Sequence, residues 1–192
     1  MSEKEVRSQS SKQSGGKTGT KSAKKKKTTY RLSETQRLAV QVFTFVLIIY
    51  ILFAHIVGLM TMPNGDMYPR IDGGDLLLFY RLDTEPKAQD IIAFEMNDTK
   101  YVSRVIAVAG DTVEITEEGA VIVNGNTMIE SNIFYETYPL VGYTKYPVTL
   151  GAGECFVLAD TRRGAEDSRY YGPVSYRNII GTVITVVRRN NL

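Results

Sequence analysis

Residues 100–115 read KYVSRVIAVAGDTVEI. Val, Ile and Tyr recur through this stretch, and Gly110-Asp111 divides it into two short extended runs. Side chains alternate between the faces of a strand, so Ser103 shares a face with Tyr101 and Val105 while Lys100 points the other way. Runs of the same kind are DLLLFYRL (75–82), DIIAFEM (90–96), TVEITEEGAVIVNG (112–125), ECFVLAD (154–160) and GTVITVVRR (181–189). Gly, Asn, Asp and Pro separate them. EEGAVIVNGNTMI reads as a hairpin with turns at Glu117–Gly119 and Asn124–Asn126. No helical periodicity of ten residues or more follows residue 60. Residues 61–192 are therefore expected to form one compact, mainly β domain around a Val/Ile/Phe core. NIFYETYPLVGYTKYP (132–147) reads as an irregular loop. Its Tyr135, Tyr138, Tyr143 and Tyr146 either line a binding face or cover the core.

The other end of the chain is different. Residues 1–37 hold eleven Lys or Arg against three acids, a net of +8, and residues 61–192 hold twelve against eighteen, a net of −6. The first thirty residues, ending in KSAKKKKTT, contain too little apolar surface to offset chain entropy, and 1–37 is expected to be a disordered basic tail. Between the two lies LAVQVFTFVLIIYILFAHIVGLM (38–60), 23 residues without Asp, Glu, Lys or Arg. At 1.5 Å per residue it spans about 30 Å of hydrocarbon with a little tilt. It is longer than a cleaved signal peptide requires, so a retained transmembrane helix is expected, with SETQ (33–36) as its capping box. The basic side stays cytoplasmic, which places the β domain outside the cell in a single-pass topology. The Lys cluster then faces anionic lipid rather than nucleic acid. Gln41, Thr44 and His55 interrupt the apolar run, and His55 lies near its outer end. Cys155 is the one cysteine, which excludes an intrachain disulfide. It reads as a small buried hydrophobe.

Four segments in order resemble type I signal peptidases of the serine family. The anchor and DMYPRIDGGD (66–75) resemble that family's membrane segment and Ser-Met-x-Pro loop. QDIIAF (89–94) is similar to its GDIVVF strand, and KYVSRVIAVAGDTVEI to YVKRVIGLPGDTVEI. ADTRRGAEDSRYYGPV (159–174) is similar to GDNRxxSxDSRxFGxV. The resemblance runs from about Leu38 to Val187. It implies a signal-peptidase-type β domain in which a serine nucleophile is activated by a lysine. Such a lysine is kept neutral by burial and oriented by a further serine. Met67 and Pro69 align the first position with Asp66. Arg104 and the residues after it align the second with Ser103. Asp160, Arg162, Asp167, Ser168 and Arg169 align the third with Ala165. The resemblance therefore implies that no catalytic dyad is intact, and that Met67, Pro69, Arg104, Asp160, Arg162, Asp167, Ser168 and Arg169 remain as groove and scaffold. A histidine base is excluded by Ser103 at that position.

Other chemistry is conceivable with these residues. Asp66 as base to Ser103 would employ a weak base, attacking from the wrong side of the oxyanion donors. Lys100 lies on the opposite strand face from Ser103. Asp66 could share a proton with Asp160 or Asp167, but Asp167–Arg169 or Asp160–Arg162 pairs would instead serve as scaffold. No His/Cys/carboxylate cluster has metal-ligand spacing, and no cofactor is expected. The resemblance extends to the altered signal-peptidase-like proteins encoded with pilus subunits and sortases in Gram-positive bacteria. It implies a membrane-anchored, chaperone-like factor for pilus assembly, with pilin or sortase as partner. The alternative is a membrane peptidase with substituted machinery.

Overall fold

A computed structural model of the protein describes residues 33–130, 133 and 135–188. The Lys-rich tail expected to be disordered lies, up to Leu32, outside them, as do Ser131 and, in the Tyr-rich loop, Asn132 and Phe134. The chain falls into two units, Met1–Ala39 and Val40–Leu192.

Helix α1 covers Glu34–Ile51 and continues as a wider π turn over Leu52–Ile56. The expected capping box is present. Ser33 N donates to Gln36 Oε1 at 2.9 Å, and Gln36 N donates to Ser33 Oγ at 3.3 Å, satisfying donors that the first turn leaves unpaired. Glu34–Ile56 is 23 residues long, and its most apolar 18-residue stretch has a mean hydropathy of 2.3, so it is long and apolar enough to cross a membrane. Thr44 is accommodated there because its hydroxyl donates to Val40 O at 2.8 Å. The helical segment ends at Ile56, four residues before Met60, where the apolar run ends. Pairing overrides hydropathy at this point. Val57–Thr61 instead forms a strand, and a Cβ on its Gly58 would lie 2.2 Å from the ring of Phe79.

The strands are β1 (Val57–Thr61), β2 (Leu76–Tyr80), β3 (Ile91–Met96), β4 (Thr99–Ala107), β5 (Thr112–Ile115), β6 (Val121–Val123), β7 (Asn126–Thr127), β8 (Val148–Thr149), β9 (Glu154–Leu158), β10 (Val174–Ser175) and β11 (Ile179–Val187). Among the described residues they form a seven-stranded sheet in the order β1-β2-β11-β3-β4-β9-β10 and a four-stranded sheet in the order β7-β6-β5-β8. The described pairings are antiparallel, and the mainly β reading of residues 61–192 holds. Each of the six strand-like runs contains a strand. The hairpin turns also stand where expected. Gly119 N donates to Thr116 O, and Asn124 and Gly125 both have positive φ, at 51° and 78°. That is the pairing a two-residue I′ turn requires.

Three apolar clusters hold the domain together. Met62, Met67, Ile71, Leu77, Ala93 and Val102 form one. Ile92, Phe94, Val105, Cys155, Val157, Val174 and Ile179 form the second. The third lies under the small sheet and includes Ile106, Val113, Phe156 and Leu158. Cys155 is fully buried and donates weakly to Val174 O at 3.6 Å. Burial pushes its thiol up to about 12, so it packs as a hydrophobe.

Close approach of strands fixes one glycine. A Cβ on Gly181 of β11 would lie 2.4 Å from Tyr80 O on β2. Gly181→Ala is expected to cost about 1–3 kcal/mol through overpacking, seen as a lower thermal midpoint. Gly65→Ala is the control, because its Cβ would find Asp72 Oδ1 no nearer than 3.8 Å. Equal midpoints for the two variants would contradict this packing.

Candidate functional site

The loop between β1 and β2 is closed at its neck and pinned at its centre. Met62 N donates to Asp75 O at 2.8 Å and Gly74 N to Met62 O at 3.0 Å. Met67 and Ile71 are fully buried against Leu77, Ala93 and Val102. Ile71 N donates to Met67 O at 2.9 Å, which winds the chain into one turn. Asp66, just before Met67, is half-buried, and Pro69 is exposed. The Asp66 carboxylate accepts from Asn64 Nδ2 at 2.7 Å, and its backbone N–H donates to Asn64 Oδ1 at 3.2 Å.

Ser103 lies mid-strand in β4, buried and opposite Ile92 of β3. Its neighbour Arg104 points to the other face and reaches Asp160. Arg104 Nε donates to Asp160 Oδ1 at 2.8 Å, and Nη2 donates to Oδ2 at 2.6 Å. This is the bidentate fork that matches a carboxylate. The next residue, Thr161, turns toward the Asp66 loop. Its N–H donates to Asp66 O at 2.7 Å and its hydroxyl to Gly65 O at 2.9 Å. Two successive residues therefore grip the strand beside Ser103 and the loop at Asp66.

The segment after Thr161 is held from within. Arg162 Nε donates to Ala159 O at 2.7 Å and Nη2 to Glu130 Oε1 at 2.5 Å, with Nη1 on Thr137 Oγ1. Asp167 accepts from Arg169 Nε and Nη2, each at 2.9 Å, from Arg169 N at 3.0 Å, and from Ala159 N at 3.1 Å. It also caps the short helix α2 (Ser168–Tyr171). Arg169 Nη2 donates to Arg162 O at 2.8 Å, and Ser168 Oγ accepts from Val157 N at 2.9 Å. Ala165 is buried and brings only a methyl group.

The expected Asp167–Arg169 pair is thus present. The Asp160–Arg162 pair is not: Asp160 is taken by Arg104 and Arg162 by Glu130. The register explains the exchange, since Arg104 stands opposite Leu158, two residues before Asp160. Glu130, Thr137 and Thr161 were missed by the sequence reading. Only the antiparallel β4–β9 pairing and the contacts of Glu130 and Thr137 with Arg162 bring them in. The tyrosines differ in burial. Tyr146 packs on the core, edge-on to Phe156 at 6.3 Å, whereas Tyr135, Tyr138 and Tyr143 are exposed.

The site is acidic and aromatic. Burial is the largest influence on Asp66 and raises its carboxyl above the usual range; the Asn64 hydrogen bond opposes this, and the negative Asp167 and Glu166 add to it. Tyr101, on the strand face of Ser103, donates to Glu166 Oε2 at 2.8 Å, and this bond first, then burial, raises its phenol. Tyr171 lies 5.6 Å from the Tyr101 ring and 6.1 Å from Phe94. Its phenol is raised chiefly by burial, and Asp66 and Glu166 both contribute. The lysines among the described residues, Lys87, Lys100 and Lys145, are all exposed. His55 lies in the π turn that ends the apolar segment. The site thus presents a carboxylate and a hydroxyl, with no buried amine among the described residues to serve as a neutral base.

Two measurements follow from these contacts. Asp160→Asn leaves the buried Arg104 guanidinium without its charge partner, so a loss of about 3–5 kcal/mol is expected in denaturant unfolding. A loss within error would contradict a buried ion pair. For Asp66, the folded carboxyl binds its proton more tightly than the unfolded one. Stability therefore falls as pH rises from its ordinary value of 3.8 through the raised one. Asp66→Asn should flatten that part of the stability–pH curve and leave the chain more stable at neutral pH; an unchanged slope would refute the assignment.

Residues 35–188 match the family model described as "Signal peptidase, peptidase S26". Signal peptidase I of Pseudomonas aeruginosa is 26% identical over 196 residues, spanning 75% of this chain and 69% of that protein. Signal peptidase I of Leptolyngbya laminosa is 29% identical, with 64% of each chain covered. Thylakoidal processing peptidase 1 of Arabidopsis thaliana is also 29% identical, but the match covers only 39% of its length. A crystal structure of a signal peptidase I from Enterococcus faecalis V583 aligns with 52% of this chain and 97% of its own, at 30% identity and a TM-score of 0.42. With four-fifths of its residues inside the family match, this chain belongs to the signal peptidase S26 family.

Proposed function

We propose that this protein is a catalytically inactive member of its family, anchored in the membrane, that holds secreted subunits for pilus assembly as a chaperone-like factor. The observation that carries the reading is the chemistry at two positions, Asp66 in the pinned loop and Ser103 in β4. A serine–lysine mechanism needs a hydroxyl at the first and a buried, neutral amine at the second. Here the first is a carboxylate, and every lysine among the described residues is exposed. Ala165 supplies no hydroxyl to orient a base. The frame around these positions is nevertheless intact: Met67 pins the loop, and Arg104–Asp160 and Thr161 tie it to β4.

A groove of this kind needs no nucleophile to hold an extended peptide, because main-chain hydrogen bonds supply affinity and shallow pockets supply selectivity. The raised carboxyl of Asp66 and the neighbouring Glu166 favour a partner that brings donors or a Lys or Arg side chain. The basic residues before α1 support a topology with the N-terminus cytoplasmic and the β unit outside the cell. Pilin subunits or a sortase as partners rest on the resemblance to the altered proteins of pilus operons. A second reading, a peptidase in which Asp66 is base to Ser103, is favoured by the upward shift of the Asp66 carboxyl. The weak basicity of a carboxylate toward a hydroxyl weighs against it.

The test is to incubate the full chain, reconstituted in membrane, with a labelled preprotein and with pilin subunits, scoring cleavage and retention separately. The native chain is expected to retain pilin and cleave nothing. A triple variant, Asp66→Ser, Ser103→Lys and Ala165→Ser, is expected to gain cleavage because the frame is already in place. Cleavage by the native chain that Asp66→Ala abolishes would overturn the proposal, and so would failure to retain pilin.

A further inference from the structure

The edge of a sheet presents unpaired N–H and C=O groups, and native proteins blunt it with Pro, Lys or a cover. Among the described residues the two sheets end in four edge strands, β1, β10, β7 and β8. Three of them are blunted. Pro147 directly precedes β8, with Lys145 two residues before it; Pro173 directly precedes β10, and Pro63 follows β1 by two residues. The fourth, β7, lies between Gly125 and Met128 and has neither device. With the two residues after it, β7 reads NTMI (126–129). Ile129 is 95% exposed, more than any other large hydrophobic residue described.

Register determines which way this edge points. Met128 N donates to Val121 O at 2.8 Å, and Ile122 of β6 stands opposite Thr127. Bonded and non-bonded pairs alternate along an antiparallel ladder. Thr127 therefore turns its N–H and C=O away from β6, with no strand beyond it among the described residues. Ile129 follows it by two residues, the strand period. The charge here is one-sided. Residues 105–144 hold six acids and no Lys or Arg, so the net −6 of residues 61–192 resides there, and the remainder holds twelve charges of each sign. Glu114, Glu117, Glu118 and Glu136 are exposed. Glu117 and Glu118 lie in the turn before β6, and Thr137 N donates to Gly119 O at 3.1 Å, which brings Glu136 to the same end. Val121, the acceptor for Met128, is two residues after Gly119. The acids therefore stand at the end of the small sheet where Ile129 leaves it.

We propose that the outer edge of β7 takes up an extended, Lys- or Arg-bearing segment of a partner protein as a fifth strand, with Ile129 packing against an apolar side chain of that segment. Main-chain hydrogen bonds at Thr127 supply affinity, and the exposed glutamates select a basic partner. A second copy of the chain is disfavoured as occupant, because it would bring the same net negative charge to the same edge. This edge is separate from the loop of Asp66, and the proposal does not rest on the reading of that site.

The test uses the full chain in phosphatidylcholine nanodiscs, whose zwitterionic lipid does not collect basic peptides, with fluorescent peptides read by anisotropy. The first peptide alternates Lys with Val. The second has Ser in place of each Lys, and the third is the first with its central amides N-methylated. The fourth is KSAKKKKTT, residues 21–29 of this chain, which is basic but lacks apolar alternation. The first is expected to bind about tenfold or more tightly than each of the others, a difference of about 1.4 kcal/mol. Ile129→Ser should weaken it several-fold, and Glu117→Gln with Glu118→Gln should weaken it and flatten its salt dependence. Asp66→Asn should leave it unchanged. The peptide series needs no variant, so a substitution that misfolds leaves the test standing. Equal binding of the N-methylated peptide would overturn strand addition, and equal binding of KSAKKKKTT would reduce the surface to charge alone. Loss of binding in Asp66→Asn would move the peptide to the Asp66 loop, overturning this proposal and leaving that reading standing. Self-association of the chain that Ile129→Ser abolishes would assign the edge to a second copy and overturn the proposal likewise.

Discussion

Three arginines are buried in one wall of the β unit, and their charges can be tolerated there only if each is matched. Removing a guanidinium from water costs several kcal/mol, and the cost is recovered only with good geometry and with the remaining donors satisfied. Arg104 is therefore forked onto Asp160, Arg169 onto Asp167, and Arg162 onto Glu130 and the carbonyl of Ala159. This demand fixes the path of residues 159–169. Thr161, the residue after Asp160, then fixes Asp66 through a main-chain hydrogen bond. Loop, strand and segment are held in register by charge matching that takes no part in chemistry. A loss of nucleophile or base would leave the frame standing.

Much of this was legible before any coordinates. The strand runs were readable because β-branched and aromatic residues stood between turn formers, and the I′ turn at Asn124-Gly125 because only such residues take positive φ easily. The capping box at Ser33 and Gln36 was a local signal with a local outcome. Met67 as a pin could be inferred because an apolar side chain in a polar loop must find a core. The failures share one cause. Asp160 was expected to pair at a separation of two, yet its partner lies 56 residues away on β4. Glu130 reaches Arg162 from a segment with no strand or helix signal. Partner choice among buried charges is settled by register, and a bare sequence does not state register. The apolar run was read as helix through Met60 for a similar reason. Hydropathy cannot distinguish a lipid-facing turn of helix from a strand that pairs with Leu76–Tyr80.

The family match covers the frame, and the frame is what the buried charges hold. The two positions that the resemblance aligns with a nucleophile and a base lie beside it. At one of them, Asp66 is raised by burial and by the negative Asp167 and Glu166. At the other, Ser103 is a buried hydroxyl on the strand face of Tyr101. Together they supply a carboxylate and a hydroxyl, and the lysines among the described residues are all exposed.

The central claim is that Ser103 and Asp66 carry out no acyl transfer, and trapping tests it most directly. The full chain is treated with a fluorophosphonate, which forms a covalent bond only with an activated hydroxyl, and its intact mass is measured. The account predicts an unchanged mass after prolonged exposure. A gain of one probe mass less the hydrogen fluoride that leaves, mapped to Ser103 and lost in Asp66→Ala, would mean that the substituted pair is a working nucleophile and base.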